Sequence, residues 1–430
     1  MTFKNIQEGD PKGCLPSSVS HALARRTLQG LIYLNLFFLE SYLIRFHIGS
    51  YPTNLQEVSI LVLAIIFLGI TIAENGGKKF IKAVLSHKII NILIILTAIS
   101  LMIVKPINLL DQIRHVKFLA FGSVLTIIFL ETFKTSEERK YALKIAGAGA
   151  ILFGLFSVIY NLAGFNVAYD LRLLGPLDAA VYLAYYLTPF FLLFSIDFIN
   201  NPKNKINLVS AVILGILIIA TMSMGAILGS FLVLVFYLIK KNKILRTKLP
   251  KMILALIGII VVSTVFYVKI LPTIRTNYSS LSERGQIWKV SASFLKDPEN
   301  ILLGLGFGQF QENYLRAADK VLGQKPLDYY VLQPHNIFLL FIFQYGILGL
   351  LFIVVCLYKT LKKCLVSEKF PETETIFAFI LLYFFLHGMI DTPFFKNDII
   401  ILFLIFMELG LGLGKNQEHA QSPSSTSITP

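Results

Sequence analysis

The sequence predicts an all-α polytopic membrane protein, and two observations carry that prediction. The first is composition: of 430 residues, 55% are hydrophobic and only 15% charged, against roughly 25% charged in an ordinary soluble chain. The second is arrangement. The apolar residues stand in long blocks, with Ile60 to Ala73, Ile89 to Val104 and Met252 to Val268 as the cores of three. A block of about 18 apolar residues is long enough to cross a bilayer. Hydrocarbon offers the backbone no hydrogen-bond partner, so each block is expected as a helix.

Twelve spans are expected, centred near residues 38, 65, 97, 124, 151, 189, 213, 232, 261, 347, 382 and 406. Residues 1–27 are expected as a cytoplasmic N-terminal segment. The apolar stretch after Arg25-Arg26 is too long for a removable signal peptide and lacks a cleavage motif, so it is taken as the first retained span. The transmembrane domain covers residues 28–414. The tail, 415–430, is rich in Ser, Thr, Gln and Pro and is expected to be disordered and cytoplasmic.

The net charge of +14 could suggest nucleic acid, but its placement argues against it. Basic residues cluster between the apolar blocks. With a cytoplasmic N-terminus, the inner connections hold Lys78, Lys79, Lys82 and Lys88, then Lys134, Arg139, Lys140 and Lys144. Further along come Lys203 and Lys205, then Lys240, Lys241, Lys243, Arg246, Lys248 and Lys251, then Lys359, Lys362, Lys363 and Lys369. The short outer connections hold Arg45, Lys105, Arg114, Lys117, Arg172 and Lys396. Excess Lys and Arg in short loops marks the cytoplasmic side. Cys14, Cys356 and Cys364 are too few for a disulfide framework, and no CxxC or HExxH metal spacing occurs.

One connection differs from the rest. Residues 272–334, between the ninth and tenth spans, are polar enough for a large outer loop. Trp288, Phe294, Phe307, Phe310, Tyr314, Tyr329 and Tyr330 give it material for a fold of its own. Within it, Ser282 to Lys289 reads as a helix start with Ser282 as N-cap. Arg284 and Trp288, four apart, share a face that Ile287, Ser291 and Phe294 extend. Such a helix could hold Arg284 over the outer leaflet, or serve only as an interfacial anchor.

Asp297-Pro298 follows, then Gly304-Leu305-Gly306-Phe307-Gly308-Gln309-Phe310. Alternate glycines allow a sharp turn or close approach to a ligand, with a plain turn back to the membrane as the alternative. Neither a preceding strand nor a Walker lysine makes it a nucleotide loop. The loop closes on Pro334-His335-Asn336. Histidine suits proton transfer; a polar helix cap is the bland alternative. Arg172, in another outer connection, and Arg275, opening the long loop, are the forked donors that suit pyrophosphate. Polar groups within spans suggest function or interhelical pairing: Glu40 with Arg45, His387 and Asp391 four apart on the eleventh span, and Glu408 on the twelfth.

Arg284-x-x-x-Trp288, Asp297-Pro298, Gly304-x-Gly306-x-Gly308-x-Phe310, Pro334-His335-Asn336-x-x-Leu339 and Tyr345-Gly346-x-x-Gly349 follow one another in an order that resembles the O-antigen ligase and polymerase family. These are bacterial integral-membrane glycosyltransferases. The resemblance is strongest from Ser282 to Leu350. It implies transfer of a glycan from an undecaprenyl pyrophosphate donor to an acceptor hydroxyl at the outer face of the cytoplasmic membrane, with no cofactor and no metal. The partners implied are a lipid-linked oligosaccharide or polysaccharide donor, a glycan or lipid acceptor, and membrane lipid. By the same resemblance His335 is the base or acceptor-orienting residue. Arg284, Arg172 and Arg275 neutralise the pyrophosphate, while Trp288, Gly306, Gly308, Asn336 and Asp391 support the site. Where many relatives read Ser-Arg-Gly before the eighth span, this chain reads Ser223-Met224-Gly225. Ligase and polymerase remain open, and the rivals from other classes are a transporter or lipid-linked-glycan flippase and a non-catalytic envelope partner.

Overall fold

The structure, a computed structural model, describes residues 17–166, 171–242, 280–365, 371–392 and 395–412. These residues are overwhelmingly helical. The first helix, α1 (Ser17–Phe37), leads through a 3-10 turn (Leu39–Leu43) to a hairpin of β1 (Arg45–Ile48) and β2 (Tyr51–Asn54). The hairpin is antiparallel, with Arg45 opposite Asn54 and Ile48 opposite Tyr51. Then come α2 (Leu55–Ser86), α3 (Lys88–Ile103), α4 (Leu109–Thr132) and α5 (Ser136–Leu162), followed by α6 (Ala180–Asn200), α7 (Lys205–Ala220) and α8 (Met224–Lys241). After the stretch outside the described residues come α9 (Ser280–Phe294), α10 (Pro298–Leu303), α11 (Phe310–Leu322), α12 (Ile337–Leu365), α13 (Glu372–Gly388) and α14 (Asn397–Leu411).

Six of these helices are long and apolar enough to cross a membrane, or seven if the bent pair Phe80–Ser86 and Lys88–Ile103, which meet at 84°, is counted as one span. That supports an all-α polytopic membrane protein, with fewer qualifying helices than the twelve spans expected. The difference has identifiable sources. The expected span near 261 lies outside the described residues. Others, such as α7 with 16 residues and α14 with 15, are short. The first helix lies earlier than expected, ending at Phe37 rather than being centred near 38. Leu39, Tyr42 and Leu43 carry the apolar run on past Phe37 around Glu40 and Ser41, so mean hydropathy does not mark where the helix stops.

Local sequence explains the helix ends. Asn54 accepts a hydrogen bond from the Glu57 N–H and starts α2. Thr135 and Glu138 form a reciprocal capping box at the start of α5. Asn336 accepts from the N–H groups of Phe338 and Leu339 and so starts α12. Helices α13 and α14 are apolar on every side and are buried along nearly their whole length, as Ile376, Phe379, Leu402 and Phe406 illustrate. A helix apolar all round belongs at the centre of its bundle. Here α14 packs on α4 and α13, while α13 also packs on α8 and α12.

The two ends of the bundle differ in chemistry. One end carries the ion pairs of Arg25 with Glu74, His87 and Lys134 with Glu131, Lys140 and Lys144 with Asp197, and Lys363 with Glu374, whereas Lys117 pairs with Glu57 toward the other. The other end gathers the start of α12, the end of α13 and the connection from Gly388 to Asn397.

At this second end the segment from Ser280 to Asn336 folds rather than wandering. Ile287, Val290, Phe310, Tyr314 and Val331 bury one another against Ile342 and Phe343 of α12. At Gly346 (φ 64°) the helical backbone of α12 is interrupted, and a Cβ there would stand 2.1 Å from the Leu302 carbonyl oxygen. Glycine is therefore what lets α10 pack against the break.

Candidate active site

Three elements bring the site together. Helix α9 supplies Arg284, the residue before α12 supplies His335, and the connection after α13 supplies Asp391. The Arg284 Nη2 donates to Asp391 Oδ2 at 2.8 Å. His335 Nδ1 lies 2.9 Å from Asp391 Oδ1, and the Thr392 N–H donates to that same oxygen at 2.9 Å. One buried carboxylate thus holds both the histidine and the arginine that the sequence singled out separately.

Asp391 is itself positioned. Its N–H bonds the His387 carbonyl, and its own carbonyl accepts from the Tyr185 hydroxyl at 2.7 Å. Asp391 does not stand on the helix with His387, as the four-residue spacing suggested: α13 ends at Gly388. His387 plays a packing part instead, stacked on Tyr185 with ring centres 3.7 Å apart and its Nδ1 2.7 Å from the Tyr383 hydroxyl. Burial alone would raise the Asp391 carboxyl, but the charge and hydrogen bond of His335, with the charge of Arg284, outweigh it. The carboxyl is held below the usual carboxylate range.

An ionised Asp391 accepts from a proton-bearing Nδ1, so that in the neutral tautomer of the imidazole Nε2 carries the lone pair. The His335 backbone has φ 51°, left-handed for a residue with a side chain. Its neighbours hold it there. Trp288 Nε1 donates to the Pro334 carbonyl at 3.1 Å, and Asn336 Nδ2 donates to the Met389 carbonyl at 3.0 Å. Arg284 and Trp288 therefore share a working face, as their spacing predicts. Helix α9, however, already includes Ser280 and Leu281, so Ser282 is not its N-cap.

Arg172 lies on the connection before α6, which is pinned to the end of α7 by the Leu173 N–H bonding the Ala220 carbonyl. Its charge acts on Glu283, as do those of Arg284, His335 and Asp328. Arg275 lies outside the described residues, as do Tyr169 and Asp170 of the motif before Arg172.

The glycine run has a different neighbourhood. Gly304, Gly306 and Gly308 all have positive φ. A Cβ on Gly306 would meet the Val104 side chain at 2.9 Å, and one on Gly308 would meet His115 at 3.0 Å. The Gly308 N–H donates to Gln344 Oε1, and Gln309 Oε1 accepts from the N–H groups of Ile107 and Asn108. These contacts dock the turn on the α3–α4 connection and on α12; none of them is with His335, Arg284 or Asp391.

Two other pairings differ from expectation. Glu40 sits beside Asp398 rather than pairing with Arg45, which lies close enough to Lys396 for its charge to act there. Glu408 accepts from the backbone N–H of Ile90 at 3.2 Å. Met224, in the Ser223-Met224-Gly225 stretch, is 52% exposed at the start of α8. Its neighbour Gly225 packs under the site: a Cβ there would stand 2.3 Å from His387 Cδ2. Gly225→Ala is expected to destabilise the protein by about 1–3 kcal/mol, read as a lower melting temperature of the purified chain. An unchanged melting temperature would contradict this packing.

Sequence reasoning missed Tyr185 and the carboxyls of Glu283 and Asp328. Tyr185 sits in an apolar helix with nothing to distinguish it from the surrounding aromatics, whereas Glu283 adjoins Arg284 and could have been noticed.

Fold and site together define a multi-pass helical membrane protein with a His–carboxylate–Arg cluster at one end of its bundle. The O-antigen ligase family model matches residues 209–354 of this chain, which bears out the resemblance read from the sequence. The match includes Arg284, Trp288, Gly306, Gly308, His335 and Asn336, and excludes Arg172 and Asp391. No curated protein matches the chain. The family match supports an O-antigen ligase- or polymerase-like, glycosyltransferase-like part in surface polysaccharide biosynthesis, and with the apolar helices it indicates a multi-pass bacterial membrane protein.

Proposed function

We propose that this chain transfers a glycan from a polyprenyl pyrophosphate, such as undecaprenyl pyrophosphate, to an acceptor hydroxyl at the outer face of the cytoplasmic membrane. Both termini are cytoplasmic in this reading. The observation that carries it is the Asp391 carboxylate shared between His335 and Arg284. The two chemistries such a transfer needs, proton removal and leaving-group stabilisation, are thereby held side by side.

In the reaction, the acceptor hydroxyl oxygen bonds to the anomeric carbon as the bond from that carbon to the pyrophosphate oxygen breaks. His335 Nε2 takes the hydroxyl proton. Arg284, with Arg172 and Arg275, offsets the negative charge that collects on the departing pyrophosphate. One displacement inverts the anomeric configuration. Pyrophosphate is already a good leaving group, so positioning and charge stabilisation supply most of the rate. Asp391 fixes the histidine tautomer, and Trp288 and Asn336 fix the backbone on either side of it.

The test is a deletion strain complemented with wild type or Arg284→Ala, with surface glycans run on a gel. Loss of long glycan in the deletion and in the Arg284→Ala strain, with recovery by wild type, is expected at equal membrane levels. Accumulated lipid-linked polymer then indicates a ligase and accumulated single repeat units a polymerase. Normal glycan in the deletion strain overturns the proposal.

A further inference from the structure

The segment between α11 and α12 is held firmly, yet turns two aromatic rings outward. The Leu327 N–H donates to Gln286 Oε1 of α9 at 2.9 Å, and Gln311 Nε2 of α11 donates to the Tyr329 carbonyl at 2.7 Å. The Tyr330 N–H is closed onto Asp328 Oδ1 at 2.8 Å, and Val331 is buried with Ile287 and Tyr314. With the backbone fixed from both sides, Tyr330 is still 65% exposed and Tyr329 49%. Two adjacent tyrosine rings, each with an apolar face and a polar tip, are thereby presented on a fixed backbone.

Tyr330, Asp328 and Asp391 all lie within electrostatic reach of Tyr182 of α6. Asp328 also acts on Glu283, which feels His335, Arg284 and Arg172 as well. Burial first, and then the Asp328 charge, push the Glu283 carboxyl above its usual range. The neighbourhood is therefore divided by charge. Arg284 and Arg172 suit a pyrophosphate; Glu283 and Asp328 would repel one.

We propose that Tyr330 and Tyr329, with the carboxyl groups of Glu283 and Asp328, form a subsite that seats a pyranose ring of the donor or acceptor glycan beside His335. A pyranose has an apolar C–H face, which packs on an aromatic ring. Its rim of hydroxyls donates to carboxylate oxygens. This inference rests on the glycosyl-transfer reading for the identity of the ligand.

Trp288 is the single tryptophan of the chain, and its indole bonds the residue before His335, so its fluorescence reports on this site. The experiment titrates the purified full-length chain in nanodiscs with oligosaccharide repeat units released from the host's surface polysaccharide. Wild type is expected to saturate. Tyr330→Ala is expected to bind about tenfold more weakly with an unchanged melting temperature, and Tyr330→Phe to restore binding. In a parallel transfer assay KM is measured separately for lipid-linked donor and acceptor; whichever rises in Tyr330→Ala identifies the glycan seated there. Equal affinity and equal KM values for wild type and Tyr330→Ala overturn the subsite, even if wild type transfers glycan normally. Tyr330-dependent binding by a wild type that transfers nothing would instead uphold the subsite and overturn the transfer reading.

Discussion

Asp391→Ala is expected to lower the rate of glycan transfer by about a thousandfold, the middle of the range that one positioned acid–base group contributes. The reason is that one side chain serves two partners. Its Oδ1 orients His335 and its Oδ2 holds Arg284, at 2.9 and 2.8 Å. Alanine leaves the imidazole free to turn and takes from Arg284 the carboxylate that sets its direction. Stability should suffer as well, by about 2 kcal/mol, because removing one member of a buried pair strands the other; the figure is kept low because Arg284 is partly exposed. The sign of the pH dependence follows from the carboxyl's depressed range. The stability it contributes is complete above the ordinary carboxylate range, near about 4, and is lost as pH falls below it. Melting curves of wild type and Asp391→Ala should therefore converge in acid and separate toward neutrality. Wild-type transfer rates in Asp391→Ala would remove this residue from the site.

The second large effect is expected for His335→Ala, which should reduce kcat to background, a loss of about 10²–10⁴-fold, while binding of the lipid-linked donor changes little. In the proposed reaction His335 meets the acceptor hydroxyl, whereas the arginines set donor affinity. Arg284→Ala should show the opposite balance, with weakened donor binding as well as slower turnover. Donor affinity by titration and kcat by product formation separate the two. Equal losses of donor binding in both variants would contradict the division of labour.

Why parts of this were legible from sequence, and others were not, has physical causes. Long apolar blocks announce helices because lipid permits little else, and most block centres fall within helices of the structure. Helix ends were harder: Leu39, Tyr42 and Leu43 of the 3-10 turn carry the apolar run on past the end of the helix before it. Arg284 with Trp288 could be read from a spacing of four, since that spacing fixes a shared helix face. The pairing of Arg284 with Asp391 could not, because the two are 107 residues apart and only the packing of α9, α12 and α13 joins them. The same spacing rule misled at His387 and Asp391, where the helix ends between them. The glycines read as a sharp turn or as a close approach to a ligand, and what they pack against, Val104 and His115, is a tertiary fact with no local trace.

The most direct test of the central claim uses purified full-length chain in nanodiscs, supplied with the host's polyprenyl pyrophosphate glycan and its acceptor. Product is followed as a new glycosidic bond together with released polyprenyl pyrophosphate. Wild type is predicted to form both in equal amounts with inverted anomeric configuration, and His335→Ala to form neither above background. Product at the wild-type rate from His335→Ala, or retained configuration from wild type, would contradict it.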